Sequence, residues 1–126
     1  MTLLPGSYSS LIEEFVAERS LSMERAPPNV VIGEAVRKFP NAPALEAAFA
    51  CICVASALEQ PVTLSKEIDV DFIIGLYRAI AVFSADVYAV EKLYGPTPTC
   101  SRVLEFWVQT DERFFTVGLP KEVTKG

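Results

Sequence analysis

The segment from Asp69 to Tyr94 limits the fold of this chain more than any other part of the sequence. Its large apolar residues recur at alternating intervals of three and four positions, which is typical of a helix with one continuous apolar seam. The seam residues are Ile73, Leu76, Ile80, Phe83, Val87, Val90 and Tyr94. A helix of this length measures about 39 Å, whereas a globule of 126 residues has a radius of gyration of about 14 Å. We therefore predict a helix over 69–94 that crosses the domain and organises it.

Two further segments carry the apolar stripe of a surface helix that has one face to bury. The first extends over 8–19, and Ser7 is a candidate for its N-cap. The second begins at Asn29, which can also serve as an N-cap, and ends at Phe39 because Pro40 cannot continue a helix. The β-branched run that follows Asn29 leaves a strand open as the alternative.

The third predicted helix, over 44–59, has a different composition. Between Glu46 and Glu59 it carries no charged residue, and alanine and cysteine are frequent there. A helix that is apolar on all sides is usually buried in the centre of a fold. We therefore expect neighbouring helices to cover this one all round, and its small side chains to allow them a close approach.

The C-terminal part of the chain is consistent with two structures. Residues 103–117 carry apolar side chains that would share one side of a helix. β-Branched and aromatic residues also dominate this segment, which favours a hairpin that turns at 110–112. The sequence predicts an all-α single domain over 1–126, a bundle of four or five helices with a frayed tail over 119–126. The alternative is an α+β fold with a small C-terminal hairpin over 103–118.

The chain contains no histidine, and this absence removes several chemistries. Ser-His-Asp and Cys-His nucleophile systems, histidine acid–base catalysis and histidine-ligated metals are excluded. Cys51 and Cys53 would point about 200° apart on a helix, which suits a shared metal poorly. We predict structural cysteines and no cofactor or metal. An enzyme is disfavoured but not excluded, because carboxylates, lysine and tyrosine can also act in catalysis.

Charge and hydropathy limit the kinds of partner. The net charge is −5, and both the acids and the bases are scattered along the chain. Direct binding of nucleic acid needs clustered lysine and arginine, so we do not expect it. The segment 72–90 is long enough to span a bilayer but contains Arg78 and Asp86, which are costly near a bilayer centre. We interpret it as a buried helix and expect no membrane contact. We expect a cytoplasmic location because no export signal is recognisable.

Three groups of residues are candidates for contact with a partner. The apolar seam packs against a helix of the same chain, or it pairs with a second copy or another protein. Arg78 and Asp86 are solvated or locally paired charges on the outer stripe of the helix, or they form polar contacts that fix the register of an interface. The aromatic residues near the C-terminus belong to the core or to a partner-binding patch. The candidate partner-binding residues are Ile73, Leu76, Ile80, Phe83, Val87, Arg78, Asp86, Phe106, Trp107, Phe114 and Phe115.

These observations predict a non-catalytic protein–protein interaction module. It would be a small cytoplasmic regulator, adaptor or inhibitor that acts through a helical surface on a protein partner or on itself. Two of the predicted helices are apolar nearly all round, and together they have more apolar surface than a small monomer readily covers. This favours a homodimer through the fourth helix or the aromatic tail. One alternative is a small-molecule binding protein or enzyme with a pocket between helices, lined by tyrosines and Arg78. A weaker alternative is an acidic mimic of nucleic acid, which would need its acids on one face.

Overall fold

The computed structural model describes residues 7–60 and 70–109, and it contains five α-helices in those ranges. They are α1 (Ser7–Leu21), α2 (Pro28–Lys38), α3 (Ala44–Glu59), α4 (Val70–Tyr94) and α5 (Cys100–Gln109). The described ranges contain no strand. The prediction of an all-α bundle organised by a long fourth helix is therefore confirmed. The predicted frayed tail over 119–126 lies outside the described residues.

Helix α4 is the longest of the described helices, and it packs against α2, α3 and α5. Helices α2 and α3 each pack against all four other described helices, so the core is shared among α2, α3 and α4. The seam is buried from Ile73 to Val90, whereas Tyr94 at its end is exposed. By length and composition alone, α4 is also apolar enough to cross a membrane. That property is weak evidence for a membrane span, because the core helix of a soluble protein has it as well.

Helix α1 packs along α3, and an acidic side chain joins the two helices. The backbone N–H groups of Tyr8 and Ser9 donate to Oε2 of Glu46 at 2.8 and 3.0 Å. The first turn of a helix has N–H groups without helical partners and carries partial positive charge, so a carboxylate there is stabilising. Glu46 of α3 thus helps to fix where α1 begins. The side chain of Ser7, the predicted N-cap, lies outside the described part.

Helix α2 begins one residue before its predicted N-cap, and the β-branched run after Asn29 is helical. Pro27 occupies the N-cap position and makes no side-chain capping hydrogen bond. Proline suits the first helical position because its φ is preset and it lacks an N–H that would need a partner. The prediction that Asn29 caps this helix is therefore wrong. Helix α2 also approaches α4 closely at Pro28, since a Cβ atom added to Gly75 would lie 2.7 Å from Cγ of Pro28.

Backbone hydrogen bonds join two loops at one end of the bundle. The N–H of Ala44 donates to the carbonyl of Pro98 at 2.8 Å, and the N–H of Cys100 donates to the carbonyl of Ala42 at 2.9 Å. Gly95 follows the end of α4 with a φ of +110°, a conformation that favours glycine. The chain thus turns sharply after α4, and α5 begins at Cys100, earlier than predicted.

The segment predicted as either helix or hairpin is helical where it is described. Residues 103–109 belong to α5, so the alternative hairpin over 103–118 is wrong for this part, and residues 110–118 lie outside the described ranges. The buried side chains of α5 are Cys100, Val103, Phe106 and Trp107. Their helical spacing gives α5 one apolar face against the bundle, and this packing outweighs the β-propensity of the individual residues.

Candidate interaction surface

The five seam residues that were candidates for partner contact lie inside the bundle. Ile73, Leu76, Ile80, Phe83 and Val87 are all buried, and α4 packs against helices of the same chain. Of the two arrangements that the sequence leaves open, the described residues have the intrachain one. These side chains are therefore not part of the surface that the folded chain presents.

Arg78 and Asp86 lie in different environments on α4. Arg78 is exposed, in keeping with a solvated outer stripe, whereas Asp86 is 1% exposed. The Nε1–H group of Trp107 donates to Oδ2 of Asp86 at 2.7 Å. The ring of Trp107 also lies 6.0 Å from that of Phe83, measured between centroids. The interpretation of Asp86 as a solvated charge is therefore wrong, because it is a buried acid that joins α4 to α5.

Burial changes the acidity of Asp86. Removal from water raises the pKa of its carboxyl group to about 6, and the hydrogen bond from Trp107 opposes that rise. The second oxygen, Oδ1, is buried and has no hydrogen-bond partner among the described residues. A proton on Oδ1 would leave Oδ2 able to accept from Trp107. Asp86 and Trp107 therefore form a titratable contact between two helices.

The predicted aromatic patch divides into two parts. Phe106 and Trp107 are buried on the inner side of α5. Phe114 and Phe115 lie outside the described residues. In the described part, the aromatic side chains of this segment belong to the core, which is the first of the two interpretations that the sequence allows.

An apolar helix face that sequence reasoning missed lies on α3. Leu45, Phe49 and Ile52 are 66%, 57% and 43% exposed. Their spacing of four and three positions places them on one stripe of the helix, which we call the α3 outer face. The prediction that neighbouring helices cover α3 on all sides is therefore wrong.

The sizes of the side chains explain this arrangement of α3. Most of its buried positions hold alanine, together with Cys51, Val54 and Leu58, and such small side chains let the backbones of other helices come close. The larger side chains of the outer face point away from the core. Hydropathy alone does not separate the two sides of α3, because both are apolar. The spacing of the three large residues is the signal that could have revealed the exposed side.

Two grooves border α3. One, of about 480 Å³, is lined by the α3 outer face, by Glu46 and Ala48 beside it, and by Ser84 of α4. The other has a volume of about 530 Å³ and lies between α1 and α3. We call it the α1–α3 groove, and its lining includes Glu13, Glu14, Leu21, Cys53, Ala57 and Leu58. Both volumes fall in the range of small-molecule sites, about 300–1,000 Å³.

The carboxylates at the two ends of α3 are engaged within the chain. Glu46 accepts hydrogen bonds from the first turn of α1, and Glu59 accepts one from the hydroxyl group of Tyr77 at 2.7 Å. The hydrogen bond to Glu59 raises the pKa of Tyr77. Between Glu46 and Glu59, α3 has no charged residue. The span of the α3 outer face therefore contains one carboxylate, that of Glu46, which is held by the first turn of α1, and α3 carries no further charge before Glu59.

The three cysteines are free thiols. Cys51 and Cys100 are buried, which raises the pKa of each thiol to about 12. Cys53 is half-buried, and its pKa is raised by burial and by the negative charge of Glu13. All three thiols therefore stay protonated near neutral pH. The ranges 7–60 and 70–109 hold no group of three metal-ligating side chains close enough to bind one ion.

No protein-family model, curated protein or solved structure matches this chain. The class of protein is defined by its own geometry, which over the described residues is a five-helix bundle with a buried acid in its core. The functional interpretation therefore depends on the α3 outer face and the two grooves beside it.

Proposed function

We propose that this chain is a non-catalytic protein–protein interaction module, and that it forms a homodimer through the α3 outer face. In this proposal it acts as a small cytoplasmic regulator, adaptor or inhibitor. The observation that carries the proposal is the exposure of Leu45, Phe49 and Ile52 along one stripe of a helix. Monomers seldom leave large contiguous apolar surfaces in water, and twofold symmetry lets one patch cover itself.

Charge supports a second copy as the partner. The chain carries a net charge of −5, so two copies repel each other unless they meet where free acids are absent. The α3 outer face limits this repulsion, because Glu46 is the one acid between Leu45 and Ile52 and its carboxylate is held at the positive N-terminal end of α1. Antiparallel packing of two such faces about Phe49 would bring Leu45 of one protomer beside the partner's Ile52.

The chemistry of the side chains supports a non-catalytic role. The chain has no histidine, which is the most frequent general acid or base in enzymes. Its thiols are held in the protonated form by burial, and the thiolate is the nucleophilic form of cysteine. The proposal includes no direct contact with nucleic acid, because the basic residues are scattered. It also includes no membrane contact, because α4 is packed among three other helices.

Sedimentation equilibrium at micromolar concentration tests the homodimer. We expect the unmodified chain to be dimeric and the variant Phe49→Glu to be monomeric, because the substitution places two like charges at the centre of the interface. The matched control is Leu11→Glu, which introduces the same charge at a similarly exposed apolar position on α1. This control should remain dimeric, and circular dichroism should show that both variants keep their helices. A monomeric parent, or a Phe49→Glu variant that remains dimeric, would contradict the proposal.

A further inference from the structure

The α1–α3 groove has two chemically different ends. Glu13 and Glu14 of α1 both line the groove, and Glu13 lies near Cys53 of α3. Leu21 and Leu58 come from the last turns of the same two helices. Along α1, seven or eight residues separate the two acids from Leu21, which corresponds to about 11 Å. The groove is therefore acidic at one end and apolar at the other.

The charge in this groove has one sign. Its lining contains two glutamates and no basic residue. The hydroxyl group of Ser9 donates to Oε2 of Glu13 at 3.0 Å, which restrains the carboxylate. The charge of Glu13 also reaches Cys53, where it adds to the effect of burial in raising the pKa of the thiol. Negative charge beside apolar walls attracts a cation more strongly than the same charge in open water.

We propose that the α1–α3 groove binds a small organic cation with an apolar tail. The cationic group lies beside Glu13 and Glu14, and a tail of about 10 Å extends towards Leu21 and Leu58. A volume of about 530 Å³ is sufficient for such a ligand. The complementary charge selects an amine over an alcohol or an acid with the same tail. This site is separate from the α3 outer face, and it does not depend on the homodimer.

Phenylbutylamine is a suitable probe, and phenylbutanol and 5-phenylvalerate offer the same phenylbutyl tail with a neutral and a negative head. We expect a low-millimolar Kd for the amine, as is typical of a ligand with about ten non-hydrogen atoms. The alcohol should bind about tenfold more weakly, and the acid more weakly still. Amide NMR spectra recorded during each titration should show shifts that concentrate in 13–21 and 53–58.

The double variant E13Q/E14Q tests the charge selection. It should weaken binding of the amine about tenfold and leave binding of the alcohol unchanged. The control E18Q/E24Q removes two exposed acids outside the groove lining, so the net charge changes equally while affinity for the amine changes less than about twofold. The proposal would be overturned if the amine did not bind, or if the three compounds bound with equal affinity. It would also be overturned if both variants lost the same affinity for the amine, or if the NMR shifts were confined to the α3 outer face.

Discussion

Helices α3 and α4 are both apolar over most of their length, yet they are covered to different extents. The seam residues of α4 from Ile73 to Val90 are buried against other helices, whereas Ile74 and Tyr88 on its other side are exposed. The buried side of α3 holds mostly alanine, and its largest side chain, Phe49, is exposed. The placement of large side chains therefore decides how much side-chain volume each helix adds to the core. Total apolar content does not decide it, because both helices are rich in apolar residues.

The strongest test of this comparison exchanges an isoleucine for aspartate on each helix. Ile80→Asp should lower the free energy of unfolding by several kcal/mol, because it places an unpaired charge in the core of a domain whose total is typically about 5–15 kcal/mol. Ile52→Asp should cost about 1 kcal/mol or less, since its side chain is partly in water. Urea unfolding followed by circular dichroism, at a concentration low enough to keep the chain monomeric, measures both. Similar losses for the two variants would mean that α3 and α4 are equally covered.

The two helices also differ in the polar content of their buried sides. Asp86 is a buried acid on α4, and the buried side of α3 has no charged residue. The pKa of Asp86 is about 6 in the folded chain, against an ordinary value of 3.8. The folded state therefore binds the proton of the Asp86 carboxyl group more tightly than the unfolded state does. As a result, Asp86 makes the free energy of unfolding fall as pH rises from about 4 to about 6. The expected loss is about 3 kcal/mol in total.

The variant Asp86→Asn isolates this pH dependence from that of the other carboxylates. Asparagine is close in volume, keeps an acceptor for Trp107 and does not titrate. The difference in free energy of unfolding between parent and variant should change with pH between about 4 and 6 and be constant above that range. In Trp107→Phe, the loss of the donor should raise the pKa of Asp86 further. A parallel pH dependence in parent and Asp86→Asn would show that the carboxyl group is not desolvated.

The sequence predicts the fold well and the exposed surface poorly, for a physical reason. The seam on α4 requires covering helices, so the all-α bundle and the burial of the seam follow from spacing alone. The bounds of α3 follow from the prolines and the uncharged run. The partners of individual side chains depend on tertiary packing. Nothing within α4 indicates that Asp86 meets Trp107. On α3, hydropathy does not indicate which apolar side its neighbours cover, and only the spacing of Leu45, Phe49 and Ile52 separates the two sides.

Gly75 gives a test of how closely other helices approach α4. Alanine normally favours a helix interior over glycine by about 1 kcal/mol. At this position the new Cβ atom would lie 2.7 Å from Cγ of Pro28, and overpacking of this kind costs about 1–3 kcal/mol. We expect Gly75→Ala to lower the free energy of unfolding by about 1 kcal/mol. In a Pro28→Ala background, which removes Cγ, the same change should be neutral or stabilising. If Gly75→Ala instead raised the free energy of unfolding of the otherwise unmodified chain, α2 and α4 would be farther apart than the structure shows.

The smallest expected effect concerns a polar contact between α3 and α4. The hydroxyl group of Tyr77 donates to Oε1 of Glu59 at 2.7 Å in an exposed position, where water competes for both groups. Tyr77→Phe should therefore lower the free energy of unfolding by only about 0.5 kcal/mol. Glu59→Gln keeps an acceptor and should cost less, but it removes the neighbouring negative charge. The pKa of Tyr77, which this hydrogen bond raises, should then fall towards its ordinary value in a spectrophotometric titration. A pKa that stays raised in Glu59→Gln would show that burial governs Tyr77, and that the end of α3 is covered more than its outer face.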